Sequence, residues 1–337
     1  MTLAAPTADG VRLGVPVTVR VPATSANLGP GFDALGLAFD LYDLVTVEAY
    51  PVAPGGPTVI VEVEGEGAGR VPTDESHLVV RSLRAGLVHA GAARAGEHAP
   101  GLRLHCRNAI PHGRGLGSSS AAIVAGLVAA QGLLADAGLL PVPEVFELAT
   151  AAEGHPDNAA ATVFGGITVA WTEGLGERGA RGHARAVQVP VVPAVRAVLC
   201  VPDGELPTSK ARAMLPAQVP HSDAAFNAGR SALLVGALSR CPEMLLAATE
   251  DRLHQDLRAP AMPQSAVLLR AIRAAGGAAV VSGAGPSLLV LGVDDEPAAA
   301  VGAALAACGH QVGAWRVLTP LIDTMGAQLI TDGVRFD

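Results

Sequence analysis

The chain has 337 residues, half of them apolar, and a formal net charge of −8. This length allows a sizeable core in one large domain or two closely packed ones. The acidic balance and the scattered basic residues argue against nucleic acid or an anionic membrane surface as a partner. No stretch approaches the ~18 large apolar residues of a membrane span, and residues 1–14 lack the pattern of a signal peptide. We therefore expect a cytoplasmic protein.

The first predicted strand covers residues 15–21, where valines alternate with other residues. Residues 22–33, with the sequence PATSANLGPGFD, are expected to leave this strand as a turn-rich segment. On residue type alone, Asn27 and Asp33 in this segment are typical of turns, because their side chains bond to nearby backbone groups. Alternation returns at residues 44–48 and predicts a second strand.

The central feature of the sequence is the glycine-rich segment 111–122, PHGRGLGSSSAA, which follows further strands at 58–63 and 102–106 and a helix at 75–93. Its alternating glycines let backbone N–H groups close around an anion. Apolar residues at helical spacing over 123–134 predict a helix directly after the glycines. The positive end of that helix would face the same anion, so the segment predicts a phosphate site. A P-loop is excluded because it needs a lysine after its last glycine, and the chain's single lysine is Lys210.

The next predicted elements are a helix at 143–152, a polar His-Pro-Asp-Asn segment at 155–158 and a strand at 164–170. A glycine- and arginine-rich loop over 174–186 is the expected domain boundary, so the first domain should cover 15–173. Alternating helices and short strands indicate a mixed α+β architecture.

A second domain is expected over 187–322, with a hairpin around a third glycine turn at 283–285. Strands joined through a glycine turn and flanked by helices fit a ferredoxin-like arrangement. The four cysteines, which are widely spaced and form no C-x-x-C pair, are expected to be free thiols. The other elements predicted in this half are strands at 195–201 and 311–317, hairpin strands at 278–282 and 288–292, and helices at 209–215, 223–238, 244–253, 264–275 and 297–307.

Together these segments resemble the motifs of the GHMP kinases, the family of galactokinases, homoserine kinases, mevalonate kinases and phosphomevalonate kinases. Residues 111–121 resemble the family pattern P-x-x-x-G-L-G-S-S-A-A, and 283–287 resemble its G-x-G-P-S turn. Segments 22–33 and 155–158 are similar to the homoserine kinase branch. Ser120 is a departure, since it replaces the first alanine after the paired serines. The resemblance implies the α+β GHMP kinase fold, with an N-terminal domain like ribosomal protein S5 and a ferredoxin-like C-terminal domain.

The resemblance further implies ATP and Mg²⁺ as cofactors. By similarity, the metal is held by Ser118 or Ser119, with Ser119 preferred, and by Glu147. Mg²⁺ prefers such hard oxygen ligands, although on residue type alone Glu147 would be a solvated helix residue. The residues implied to wrap the ATP phosphates are Pro111, His112, Gly113, Arg114, Gly115, Leu116, Gly117, Ser118, Ser119, Ser120 and Ala121.

The acceptor implied by the resemblance is a small amino acid. Arg212 and Arg258 match the arginines that hold its carboxylate, a task that suits the planar guanidinium. The implied reaction transfers the γ-phosphoryl group of ATP to the side-chain hydroxyl of L-homoserine, on the route to threonine, and a homodimer is also implied. Because phosphoryl transfer needs positioning more than a strong base, Asn158 with Thr208 is expected to orient the hydroxyl. The residues implied to line the amino-acid pocket are Asn27, Asp33 and Asn158.

Two other functions remain open at this point. A kinase of the same family could act on another small alcohol, although the paired arginines argue against a neutral sugar. A catalytically silent relative could sense an amino acid or a nucleotide, although the intact glycine-rich segment and Glu147 argue against it.

Overall fold

The computed structural model describes residues 10–92, 99–174 and 182–330. The strands of this part of the chain are β1 Val17–Ala26, β2 Leu35–Tyr50, β3 Val59–Gly65, β4 Gly101–Asn108, β5 Ile167–Glu173, β6 His183–Val189, β7 Val195–Pro202, β8 Ala278–Val281, β9 Leu288–Val293, β10 Trp315–Leu318 and β11 Gln328–Ile330. The α-helices are α1 Leu78–His89, α2 Ser118–Leu133, α3 Val142–Glu153, α4 Asp157–Phe164, α5 Thr208–Ala213, α6 His221–Ser239, α7 Leu245–Ala248, α8 Gln255–Arg258, α9 Pro263–Ala274 and α10 Glu296–Cys308. None of these helices is long and apolar enough to cross a lipid bilayer.

The strands form two sheets. The first has the order β11-β1-β2-β4-β3, with β5 joined to β2 and β6 joined to β5. Its pairings are antiparallel except for the parallel pair β3 and β4. The second sheet is antiparallel with the order β10-β7-β9-β8. Helices between β7 and β8 and between β9 and β10 complete a β-α-β-β-α-β pattern, so the prediction of a ferredoxin-like second half is confirmed.

Helix α2 is the central helix of the first half. Its sequence is apolar on every face, which is the pattern of a helix that is buried all round. It packs against α1 on one side and β1 on the other. The core around it extends into the second half, because Leu199, Leu234 and Leu289 belong to the same cluster as Val19 and Phe39. This continuous core fixes the N-terminus of α2 relative to both sheets.

Three predicted local structures are wrong. Residues 22–26 continue β1 across a bulge at Pro22/Ala23, because pairing with β2 outweighs the turn composition. Residues 157–164 form helix α4, where the sequence suggested a polar connection followed by a strand. The helix expected over 244–253 ends at Ala248, where the Thr249 hydroxyl donates to the Leu245 carbonyl.

The boundary loop predicted over 174–186 also differs from the structure, because its last residues belong to a strand. Part of it, 175–181, lies outside the described residues, whereas β6 begins at His183 and pairs with β5 in the first sheet. The chain also returns to this sheet at its other end, since β11 pairs with β1. The first sheet is therefore built from segments on both sides of the second one.

Asp43 on β2 fixes the start of the glycine-rich segment. Its Oδ1 accepts hydrogen bonds from the backbone N–H groups of Ala109 and Ile110, at 2.7 and 2.9 Å. Burial raises the pKa of Asp43 to about 6, although both bonds act in the opposite direction. The carboxyl therefore binds its proton more tightly in the folded chain than in the unfolded one.

The raised pKa of Asp43 makes the stability of the folded chain depend on pH. Because its folded pKa is raised, its contribution to stability is present at low pH and is lost as the pH rises through about 6. Between pH 7 and pH 5 we expect the wild type to gain about 1 kcal/mol of unfolding free energy relative to Asp43→Asn. Urea unfolding of both proteins at the two pH values measures this difference. An identical response of the two proteins to pH would contradict the assignment.

Candidate active site

The three glycine-containing segments that the sequence singles out, 22–33, 111–122 and 283–287, lie side by side. The Thr24 N–H donates to the Leu116 carbonyl at 3.1 Å, and the Gly283 N–H donates to the Ala26 carbonyl at 3.1 Å. The Ser282 hydroxyl donates to the Gly115 carbonyl at 2.6 Å and lies 2.9 Å from the Ser25 hydroxyl. The glycine-rich segment is thus held from both sides.

Two glycines of this segment are required by this close packing. Gly117 precedes the first residue of α2 with a φ of 71°, and a Cβ there would collide with the Thr24 hydroxyl. Gly115 has a φ of 72°, and a Cβ there would collide with the Ser282 carbonyl. Only glycine combines this left-handed backbone with such close neighbours.

Two cavities meet at the N-terminus of α2, and Ser118 and Ser119 line both. The first, which we call the apolar cavity, has a volume of about 260 Å³ and lies between α1, β2 and α2. The second, which we call the polar cavity, has a volume of about 140 Å³ and lies between the two halves of the chain. The sequence-predicted residues that line the polar cavity are Asn27, Asp33, Gly113, Gly115, Gly117, Ser118, Ser119, Asn158, Thr208, Arg212 and Arg258.

The polar cavity contains an ion pair on one wall. The Arg212 guanidinium donates to both carboxylate oxygens of Asp33, at 2.8 and 3.0 Å. Asp33 and Asn27 have φ values of 53° and 69°, which Asp and Asn tolerate better than other residues do. The Asn27 amide is bonded to backbone at both ends, to the Asp33 N–H and to the Gly283 carbonyl. Asn27 therefore shapes this wall as well as lining it.

Helix α4 and the turn that precedes it supply a second polar wall. His155 Nδ1 lies 2.5 Å from Asp157 Oδ1, and this hydrogen bond raises the pKa of His155. Next to it, the Thr24 hydroxyl donates to Asn158 Oδ1 at 2.8 Å. Within the described part of the chain the Nδ2 of Asn158 has no hydrogen-bond partner. One oxygen or nitrogen each of Asp33, His155 and Asp157 lie within 4.8 Å of one another.

The carboxylate that bonds the first turn of α2 belongs to Glu153. The Ser119 hydroxyl donates to Glu153 Oε1 at 2.7 Å, and burial raises the pKa of Glu153. The structure does not bring Glu147 to this point. Glu147 instead faces β6, where it lies 3.2 Å from His183 Nδ1 and 3.4 Å from an Arg185 nitrogen. The carboxylate that bonds Ser119 is thus that of Glu153, whereas the resemblance implied Glu147 as the second metal ligand.

Several residues of the glycine-rich segment point away from both cavities. Ser120 is fully buried, and its hydroxyl has no partner among the described residues. The Arg114 guanidinium donates to the Pro202 and Asp203 carbonyls at the end of β7. Pro111 and Leu116 are buried and line neither cavity, whereas His112 and Ala121 line the apolar cavity.

Sequence reasoning missed four residues of this site. Thr24, Glu153, His155 and Asp157 lie within or beside segments that were singled out, yet no role followed from their types alone. A signal for Glu153 was available, because it ends α3 directly before the polar segment 155–158.

Comparisons with known proteins show the family of the chain. The sequence matches the GHMP kinases N terminal domain over residues 77–166 and the GHMP kinases C terminal domain over residues 230–311. The fold is that of a small-molecule kinase, and the chain belongs to the GHMP kinase family.

Proteins with a similar sequence include several homoserine kinases. The homoserine kinase of Clavibacter michiganensis subsp. michiganensis is 51% identical over 94% of this chain and 95% of its own length. That of Streptomyces avermitilis is 50% identical over 93% of this chain and 95% of its own length. A crystal structure of homoserine kinase from Cytophaga hutchinsonii superposes with a TM-score of 0.77 at 26% identity, covering 98% of this chain and 100% of that one.

Proposed function

We propose that the chain is a homoserine kinase, which transfers the γ-phosphoryl group of ATP to the side-chain hydroxyl of L-homoserine and forms O-phospho-L-homoserine. The observation that carries this proposal is the position of α2 between an apolar and a polar cavity. A nucleotide needs an apolar slot for its base and backbone N–H groups for its phosphates. A zwitterionic acceptor needs a pocket with both signs of charge, such as Asp33 and the two arginines provide.

The base of ATP is assigned to the apolar cavity. Val45, Val79 and Ala122 are among the apolar residues of its wall, and His77 and His112 supply polar groups. Burial lowers the pKa of both histidines, so both are neutral at neutral pH. His77 is only 6% exposed, and its Nδ1 is buried without a hydrogen-bond partner in the described structure. A nucleotide base can supply the missing partner.

His77 therefore provides a test of the nucleotide position. We expect His77→Ala to raise the KM for ATP about tenfold, because a hydrogen bond to a buried group contributes on the order of 1 kcal/mol, while the KM for homoserine stays unchanged. Steady-state kinetics with each substrate varied measures both values. His89→Ala is the matched control, since His89 lies on the surface at the end of α1, the helix that His77 directly precedes, and bonds Glu144. An equal effect of the two substitutions would contradict the assignment.

The phosphates are assigned to the N-terminus of α2, where the free N–H groups of Ser118 and Ser119 add to the helix dipole. Ser119 and Glu153 are the residues that would hold Mg²⁺, because a hydroxyl and a carboxylate 2.7 Å apart form the hard oxygen pair that this ion prefers. A bound Mg²⁺ would supply charge neutralisation for the phosphates. It requires the deprotonated form of Glu153.

The acceptor is assigned to the polar cavity, with Arg212 and Arg258 for its carboxylate and Asp33 for its ammonium group. The hydroxyl oxygen attacks the γ-phosphorus, the bond from that phosphorus to the β–γ bridging oxygen breaks, and the hydroxyl proton is released. Asn158, together with Thr208 of the same cavity, orients the hydroxyl. Alignment and charge stabilisation carry most of the rate enhancement in such a transfer.

ADP formation by the purified full-length chain tests the activity. We expect ADP release that depends on L-homoserine, with ³¹P NMR showing one phosphomonoester product. Mevalonate and a neutral sugar serve as acceptors in parallel. A higher kcat/KM with either of these would support another small-alcohol kinase, and nucleotide binding without turnover of any acceptor would support a silent sensor.

We further propose a homodimer, which the family resemblance implies, and a cytoplasmic location. Light scattering after size-exclusion chromatography measures the mass of the particle, and a monomer at micromolar concentration would contradict the dimer.

A further inference from the structure

Arg258 carries a buried positive charge without a carboxylate partner. It is only 2% exposed, and no ion pair to it is present among residues 10–92, 99–174 and 182–330. The other arginine that lines the polar cavity, Arg212, already forms an ion pair with Asp33. Arg258 therefore holds the cavity's uncompensated cation, and a buried cation needs an anion or several hydrogen-bond acceptors.

Neutral acceptors hold the guanidinium in place. Its Nη1 donates to the Gly283 carbonyl at 3.2 Å and lies 3.1 Å from His254 Nδ1, and its Nε lies 3.4 Å from the Ala211 carbonyl. The Phe32 ring covers the guanidinium carbon at 5.5 Å. In the described structure the Nη2 group makes no hydrogen bond, so it is available to a ligand in the cavity that Arg258 lines.

His254 is fixed in one tautomer by its two neighbours. Its Nε2 lies 2.8 Å from the Gly29 carbonyl oxygen, which can only accept, so Nε2 carries the proton. Its Nδ1 faces the guanidinium N–H of Arg258, which can only donate, so Nδ1 is the acceptor. Burial lowers the pKa of His254, which agrees with a neutral ring. Phe32 packs against this ring with the centroids 5.2 Å apart.

The neighbours of His254 leave no other arrangement of its ring. Asp251 accepts the backbone N–H groups of Leu253, His254 and Gln255 and thereby fixes the turn that presents the histidine. The nearest Asp251 oxygen is 3.8 Å from Nε2, farther than the Gly29 carbonyl. His254 and Arg258 are four residues apart, so the short helix α8 places one above the other.

We propose that His254 is a positioning residue, which aims the Arg258 guanidinium into the polar cavity and thereby makes the enzyme selective for acceptors that carry a carboxylate. This inference rests on the proposed homoserine kinase activity and assigns the selectivity to a residue that itself touches no substrate. A guanidinium held at Nη1 by His254 and Gly283 offers Nη2 in one fixed direction. Without the histidine acceptor, the same cation can rotate about its side chain and lose this direction.

Two substitutions separate the two hydrogen bonds of His254. An asparagine oxygen can replace Nδ1 and accept from Arg258, whereas a glutamine N–H can replace Nε2 and donate to Gly29. We expect His254→Gln to raise the KM for homoserine about tenfold, because hydrogen bonds to charged groups are the stronger ones, with kcat and the KM for ATP within about threefold of wild type. His254→Asn should stay within about threefold of wild type in all three values.

The selectivity is measured with 3-aminopropan-1-ol, which is homoserine without its carboxylate. His254→Gln should reduce the preference for homoserine over this amino alcohol about tenfold, whereas His254→Asn should keep it. An unchanged preference in His254→Gln, or equal losses in both variants, would overturn the proposal, because a purely structural role of the ring does not distinguish a substrate carboxylate.

A measurement on the wild-type chain tests the proposal even if the variants do not fold. ¹⁵N NMR of the histidine side chains should report a neutral His254 with its proton on Nε2 at pH 7. A proton on Nδ1, or a doubly protonated ring, would overturn the proposal. If the wild type consumed no ATP with homoserine, the proposed function would fail, whereas this measurement would still decide the tautomer.

Discussion

Replacing Glu153 by glutamine is expected to lower kcat/KM for homoserine phosphorylation about a thousandfold and to raise the Mg²⁺ concentration needed for half-maximal rate. Glutamine has the same shape and can still accept the hydrogen bond that the Ser119 hydroxyl gives to Glu153 Oε1. The change therefore removes a negative charge next to the proposed phosphate site with little loss of packing. Initial rates over a Mg²⁺ titration, at saturating ATP, measure both effects.

Glu147→Gln is the matched control on the same helix. Glu147 bonds Arg185 and His183 on the surface, where such pairs contribute at most about 1 kcal/mol. We expect this variant to stay within about twofold of wild type in rate and in Mg²⁺ requirement. If the two variants exchanged these behaviours, the metal carboxylate would be Glu147, as the family resemblance implies.

The choice between Glu147 and Glu153 shows where sequence reasoning reaches its limit. Glu147 and Glu153 are six residues apart on α3, so they point to well-separated faces of the helix. Choosing between them requires knowing which face meets the glycine-rich segment. The orientation of α3 depends on β6, because Arg185 of β6 forms an ion pair with Glu147. Strand β6 begins inside the segment that the sequence suggested to be a loop. A contact between distant segments cannot be derived from local composition.

Features with a local cause could be predicted. The glycine-rich segment and the buried helix α2 follow from backbone freedom and from an apolar sequence without a polar face. The proximity of Asn27, Asp33, Arg212 and Arg258 followed from the family resemblance, and the structure places all four in one cavity. The bond from Thr24 to Asn158 could not be foreseen, because it joins β1 to a helix that the sequence did not predict.

Replacing Asn158 by alanine is expected to lower kcat about a hundredfold while changing the KM for ATP little. The Thr24 hydroxyl donates to Asn158 Oδ1 at 2.8 Å, which fixes the plane of the amide. Its Nδ2 is thereby the end that can donate to the acceptor hydroxyl, and this bond leaves an oxygen lone pair for the γ-phosphorus. Losing the alignment of a reacting group costs roughly this much when the chemistry itself is unchanged.

Thr24→Val tests the same bond from its other end. Valine keeps the shape of threonine but cannot donate, so the Asn158 amide can turn its oxygen toward the cavity. We expect a loss in kcat of about tenfold, smaller than for Asn158→Ala because part of the amide population keeps the productive orientation. The double variant should be no slower than Asn158→Ala alone, since Thr24 then has no amide to hold. Additive losses would mean that Thr24 acts separately, through its contact with the glycine-rich segment at Gly117. A kcat near the wild-type value in Asn158→Ala would refute the orienting role of Asn158.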